Sequence, residues 1–110
     1  MMTKYDAEIN DAMFAKKLGC LVNQFYKILP IKESGEPSLD RYLESLQREM
    51  LGLKALIAAL DNDAQYLTLL SIVEYIRMND CDVAAVKSDV FRAINIIKRM
   101  RARFTGQNGG

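Results

Sequence analysis

Apolar residues recur at alternating steps of four and three through the middle of the chain, between Pro37 and Leu60. This spacing is the a/d pattern of a heptad repeat, and it is held for three full heptads. It predicts a helix over residues 37–60 that buries one continuous seam against its neighbours. The seam consists of Leu39, Leu43, Leu46, Met50, Leu53, Ile57 and Leu60.

The N-terminal third of the chain has the same periodicity and predicts a first helix over residues 1–29. We expect Pro30 to end this helix, because proline lacks an N–H and disfavours helical geometry at Leu29. Residues 31–38 form the longest polar break and are expected to be a surface loop. The apolar stripe of this helix consists of Ile9, Met13, Phe14, Leu18, Leu21, Phe25 and Ile28.

A third helix is predicted over roughly residues 63–78, capped by Asp61 or Asn62. Apolar residues lie nearly all round it, and a helix of this kind is either buried centrally or covered by a partner. The alternative is a pair of strands around LTLLSIVEYI. The length of this run and its lack of turn residues favour the helix.

A fourth helix, capped by Asp80 or Asp82, is expected to run to about Phe104. Four helices joined by short loops favour an all-α fold, an antiparallel up-down four-helix bundle in which the third helix is the most buried. We expect a single helical domain over residues 1–104 and a flexible C-terminal tail over residues 105–110.

Composition and charge narrow the classes of function. The 110 residues are 50% hydrophobic and 26% charged, which is typical of a soluble domain. The formal net charge is +1, so no overall field directs the protein to nucleic acid or to an anionic membrane. The N-terminus is polar and lacks the apolar core of a signal peptide, and no apolar run reaches the ~18 residues that span a bilayer. A cytoplasmic location without membrane contact is therefore expected.

The chain contains no histidine, which removes the usual general base and the commonest metal ligand. The usual nucleophilic triad is therefore excluded, and there is no glycine-rich phosphate loop. The acidic breaks at residues 61–63 and 80–82 lack the glycine and distal glutamate of a calcium loop, so helix capping is their expected role. We expect a non-enzyme with no cofactor and no metal.

The two cysteines, Cys20 and Cys81, are far apart in sequence and do not form a CxxC pair. We expect buried or half-buried thiols. The alternative is a helix-to-helix disulfide in an exported protein.

The C-terminal helix is basic. Between Lys87 and Arg103, six cations and one anion, Asp89, give a net charge of +5. Such a helix could lie against phosphates. The alternative is a solvated face whose cations stabilise the negative end of the helix. The candidate nucleic-acid contacts are Arg92, Lys98, Arg99, Arg101 and Arg103.

The chain has more apolar residues than one seam per helix requires. Because each helix of a small bundle has two neighbours, part of this surplus belongs in the core. The remainder could form an oligomer interface or a surface for another protein. The candidate interface residues are Leu51, Leu56, Leu67, Ile72, Tyr75, Phe91 and Ile96.

The run LVNQFYKILPIKESGEPSLDRYLESLQREMLGLKALI resembles small uncharacterised all-helical proteins encoded by prophages and integrated elements of Gram-positive bacteria. The resemblance covers about a third of the chain and has no diagnostic motif. It implies a regulator, an adaptor or an inhibitor of host defence that acts by binding. It identifies no functional residue.

Three functional hypotheses follow. The first is a non-catalytic protein-binding module that associates with itself through apolar helix faces. The second is a nucleic-acid-binding accessory protein that uses the basic C-terminal helix. The third is a helical bundle that binds a small ligand between helices or subunits.

Overall fold

The computed structural model describes residues 11–35, 38–79 and 82–105, and this part of the chain is all-helical. The alternative of a strand pair is therefore wrong, since LTLLSIVEYI lies within one helix. Four helices are long, one is short, and a 3₁₀ turn covers Ala58–Leu60. The helices are α1 (Asp11–Tyr26), α2 (Ile28–Ser34), α3 (Ser38–Leu56), α4 (Ala64–Met78) and α5 (Val83–Thr105).

The first predicted helix is divided in two, and its residues 1–10 lie outside the described chain. α1 ends at Tyr26, and Pro30 is the third residue of α2. Proline is tolerated there because the first N–H groups of a helix have no partner within it. The prediction that Pro30 ends a helix is therefore wrong, as is the prediction of a loop from residue 31. α2 instead ends at Ser34, and its C-cap Gly35 has a left-handed φ of 68° and donates its N–H to the Lys32 carbonyl.

Aspartate caps begin both C-terminal helices. Asp63 accepts a hydrogen bond from the Tyr66 N–H at 3.0 Å, and Asp82 accepts one from the Ala85 N–H at 2.8 Å. The sequence predicted the second cap as one of two candidates, the other being Asp80, which lies outside the described residues. The first cap was predicted at Asp61 or Asn62 and not at Asp63, because each of these three successive polar residues can serve as a cap.

Polar contacts define how α3 and α4 are paired. The Tyr66 hydroxyl, near the start of α4, donates to the Met50 carbonyl late in α3 at 2.7 Å. Arg77, near the end of α4, donates to Asp40 at the start of α3 at 3.3 Å. The two helices therefore run antiparallel.

By the same argument, α1 is antiparallel to α3, and α5 is antiparallel to α4. Near the middle of α1, Lys17 reaches Glu49 of α3, whereas the Gln24 carbonyl near the end of α1 accepts from Tyr42, early in α3. α5 contacts α1, α2 and α4. Its late residue Arg103 pairs with Asp63, which precedes α4.

The seam predicted over residues 37–60 lies in the core, although α3 itself ends at Leu56. Its residues Leu43, Leu46, Met50, Ile57 and Leu60 are at most 3% exposed, whereas Leu39 and Leu53 are partly buried against them. The core residues of α1 and α5 are Phe14, Leu18, Leu21, Phe25, Val86, Val90, Ala93, Ile94, Ile97 and Met100.

Among the described residues, Tyr66 is the largest fully buried side chain, and its hydroxyl is satisfied by the Met50 carbonyl. Burial raises the pKa of Tyr66 well above its ordinary value of 10, and the nearby Glu49 charge adds to this increase. The folded state therefore favours the protonated hydroxyl. The resulting stabilisation is present in full below pH 10 and is lost as the pH rises above that value.

Replacing Tyr66 by phenylalanine tests this contact. We expect Tyr66→Phe to lower the free energy of unfolding by about 1 kcal/mol at pH 7, because the Met50 carbonyl loses its donor. The difference from wild type should shrink above pH 10, where ionisation of Tyr66 penalises the wild-type fold. Urea unfolding between pH 7 and pH 11 measures both effects. Tyr75→Phe, at an exposed ring, is the control for pH 7; an equal loss in that variant would contradict the assignment.

Candidate functional site

The structure separates the seven candidate interface residues. Ile72 is 2% exposed and belongs to the core, so its assignment to a surface is wrong. It lies four residues before Ile76, also in the core, and therefore on the buried side of α4. Ile96 is partly buried and packs against the core, four residues before Met100. The five exposed candidates are Leu51, Leu56, Leu67, Tyr75 and Phe91.

One side of α4 is exposed and almost free of charge. Its large side chains Leu67, Tyr75 and Met78 are 39%, 55% and 74% exposed. Its members recur at steps of three and four, which places them on one side of the helix. Glu74 is the single charged residue among them. We call this surface the α4 face; it consists of Ala64, Leu67, Thr68, Ser71, Glu74, Tyr75 and Met78, all exposed.

The two aliphatic hydroxyl groups of the α4 face, those of Thr68 and Ser71, are satisfied within the helix. Thr68 donates to the Ala64 carbonyl at 2.8 Å, and Ser71 donates to the Leu67 carbonyl at 3.0 Å. Because each hydroxyl proton already has an acceptor, a partner that covers these residues leaves no hydroxyl donor unpaired. The face therefore behaves as a mainly apolar surface.

Charged residues border the α4 face on the side of α3. Arg77, three residues after Glu74, donates to Asp40 at 3.3 Å, to Gln47 at 3.2 Å and to Glu44 at 3.3 Å. This cluster holds the end of α4 against α3.

The border with α5 is polar as well. Tyr75, together with Asp89 and Arg92 of α5, lines an open depression of about 410 Å³. An apolar centre within a polar rim is the usual anatomy of a protein interface.

The exposed candidates Leu56 and Phe91 lie apart from this face. Leu56 borders a groove of about 190 Å³ between α1 and α3, which it shares with Met13 and Leu53. This volume is below the ~300 Å³ at which ligand pockets begin. Phe91 of α5 packs edge-to-face against Tyr26 of α1, with ring centroids 6.1 Å apart.

Leu51 is 49% exposed and lies on the flank of α3 that faces α4. It follows Glu44 by seven residues and Gln47 by four, and both contact Arg77 of α4. Leu51 therefore lies on the same flank of α3 as the residues that contact Arg77.

Sequence reasoning missed Met78, the most exposed large apolar side chain among the described residues. Its spacing carried the signal, since Met78 follows Tyr75 by three residues and Leu67 by eleven, three turns of an α-helix. Met13, 64% exposed, was assigned to the buried stripe of the first helix. That assignment is wrong, because the neighbouring Phe14 occupies the core position.

The five candidate nucleic-acid contacts are all exposed, but two of them also contact other parts of the fold. The guanidinium of Arg103 pairs with Asp63, whose side chain is 4% exposed. The Arg101 guanidinium lies over Gly19 of α1, where a Cβ would be 3.8 Å from its Nη1 atom. The other three residues, Arg92, Lys98 and Arg99, are exposed.

Within the described ranges, no three Cys, Asp or Glu side chains come together where they could hold a metal ion. Cys20 is an exposed free thiol, so the prediction that it is buried or half-buried is wrong. Cys81 lies outside the described residues. In the part of the chain that the structure describes, no helix is long and apolar enough to cross a membrane.

Comparison of the chain with protein-family models, with curated proteins and with solved structures gave no match.

Arg103 should act as a structural residue. We expect Arg103→Gln to lower the free energy of unfolding by about 1–2 kcal/mol, because the nearly buried Asp63 carboxylate loses a charged donor. Arg99→Gln removes an exposed cation of the same helix and should change stability by less than about 0.5 kcal/mol. Urea unfolding of the two variants checks this contrast. Equal losses would show that the Arg103–Asp63 pair does not stabilise the fold.

Proposed function

We propose that this chain is a non-catalytic protein-binding module that acts by occupying a partner's surface with the α4 face, as an adaptor or an inhibitor does. One observation carries the proposal: three large apolar side chains are exposed together on one helix, on a face with a single charge. The proposal places the protein in the cytoplasm. We also propose that the four long helices form an antiparallel up-down bundle in which α4 is the most buried helix. The antiparallel pairs of helices support this arrangement.

The contacts of the basic residues of α5 and the apolar character of the α4 face favour a protein partner over a nucleic acid. Phosphate binding requires several cations that can approach one backbone together. Arg103 pairs with Asp63 and Arg101 lies against α1, so two of the five basic candidates already contact the fold. An apolar centre in which the Thr68 and Ser71 hydroxyls are already satisfied suits another apolar surface instead.

A photo-crosslinking experiment tests the proposal. A benzoylphenylalanine probe is placed at Glu74, on the edge of the α4 face, and in a separate variant at Asn95, an exposed position of α5. After irradiation in cells that produce the protein, we expect covalent adducts with protein from the probe at position 74 and few from the probe at position 95. Mass spectrometry then identifies the captured chain.

The specificity of these adducts is checked with a second change. Leu67→Lys in the variant with the probe at position 74 should remove the adducts, because it introduces a charge at the centre of the apolar surface. Adducts that form equally from both probe positions, or that persist in the Leu67→Lys variant, would show that the α4 face is not a docking surface.

A further inference from the structure

We propose that the partner of the α4 face is a second copy of this chain, and that two α4 helices pack antiparallel about a two-fold axis through Ser71. This inference rests on the proposed function and specifies its partner. It follows from the order of small, large and charged residues along the face.

Residues at equal distances on either side of Ser71 face one another in such a pair. Leu67 then packs on Tyr75 of the second copy, an aliphatic side chain against an aromatic ring. Ala64 faces Met78 of the second copy, so the smallest residue of the face lies opposite its most exposed one. A face that is complementary to itself in this way is what a two-fold symmetric dimer requires.

Charge selects the antiparallel arrangement. In a parallel pair, each residue would lie opposite its own copy, and two Glu74 carboxylates would meet in an apolar surface. Like charges opposed in this way are destabilising. In the antiparallel pair, Glu74 lies opposite the neutral Thr68 of the second copy. The single charge of the face is then kept away from its symmetry mate.

Ser71 is suited to the axis. Its side chain is small, so two helix backbones can approach closely there, and its hydroxyl already donates to the Leu67 carbonyl. The two copies of Ser71 can therefore meet without an unpaired hydroxyl donor.

The size of the α4 face sets the expected affinity. α4 has 15 residues, which corresponds to a length of roughly 22 Å at 1.5 Å per residue. One such pair buries less than the roughly 1,600 Å² of a standard interface, which is the range of weak, reversible association. We therefore expect a dimer with a Kd on the order of 10–100 µM.

Sedimentation equilibrium of the full chain, from about ten times below to ten times above that range, measures the dimer. Leu67→Glu and Tyr75→Lys, each alone, should raise the Kd at least about tenfold, since each buries an unpaired charge. Leu56→Lys is the matched control, because Leu56 is similarly exposed but lies at the groove between α1 and α3. This control should leave the Kd within about twofold of wild type. Thermal unfolding shows whether each variant retains the fold.

A mixture of the two charged variants tests the register. In the proposed pair, position 67 faces position 75 of the second copy. An equimolar mixture of Leu67→Glu with Tyr75→Lys should therefore form a heterodimer that neither variant forms with itself. The introduced carboxylate and ammonium groups then lie opposite each other at one such position, and the native Leu67–Tyr75 contact remains at the other.

Three results would overturn the inference. The wild-type chain could remain a monomer throughout the concentration range. A wild-type dimer could survive both charged substitutions, which would place its interface elsewhere. Both substitutions could break the dimer while their mixture stays monomeric, which would exclude the antiparallel register.

Failure of this inference is distinguishable from failure of the proposed function. A wild-type monomer that still gives α4-dependent adducts with a different protein retains the docking surface but has another partner. A monomer that gives no such adducts contradicts both.

Discussion

The rotational position of α4 decides which side chains the protein exposes, and polar contacts fix it. α4 is apolar on almost every side, and the hydrophobic effect is not directional, so burial of apolar area alone cannot select one face. Asp63 caps the helix and pairs with Arg103 of α5, whereas Tyr66 bonds Met50 of α3. Arg77 ties the other end to acidic side chains of α3. These contacts set which apolar residues of α4 face outward.

The same constraint explains how far the sequence could predict this structure. The α3 seam was predicted correctly because a helix with one apolar side has one favourable orientation. Ile72 was assigned to the surface and Met78 was overlooked, because α4 has no such side and its orientation depends on residues distant in sequence. Pro30 was misread for a local reason, since proline is compatible with the first turn of a helix as well as with the residue after one. The polar breaks near Asp63 and Asp82 were predicted correctly.

The candidate surfaces differ in what composition could reveal about them. A count of charges gives the last helix a balance of +5, yet that count ignores the Arg103–Asp63 pair and the packing of Arg101 on α1. The distinguishing feature of the α4 face is instead its low charge, since Glu74 is its single charged residue. Its exposure on one side of the helix and its polar rim become visible only when the neighbouring helices are in place. Sequence reasoning named Leu67 and Tyr75 but could not separate them from the buried Ile72.

The contacts of α5 have a consequence for the synthesis of this protein. α5 packs against α1, α2 and α4, and it is the last of the helices to be translated. Until it leaves the ribosome, apolar residues of α1 such as Leu18 and Phe25 lack the helix that covers them. The nascent chain must therefore keep this surface soluble for several seconds, at roughly 5–20 residues per second. The domain can close only after α5 has been translated, and the chain that still lacks α5 is the form most exposed to chaperones and proteases.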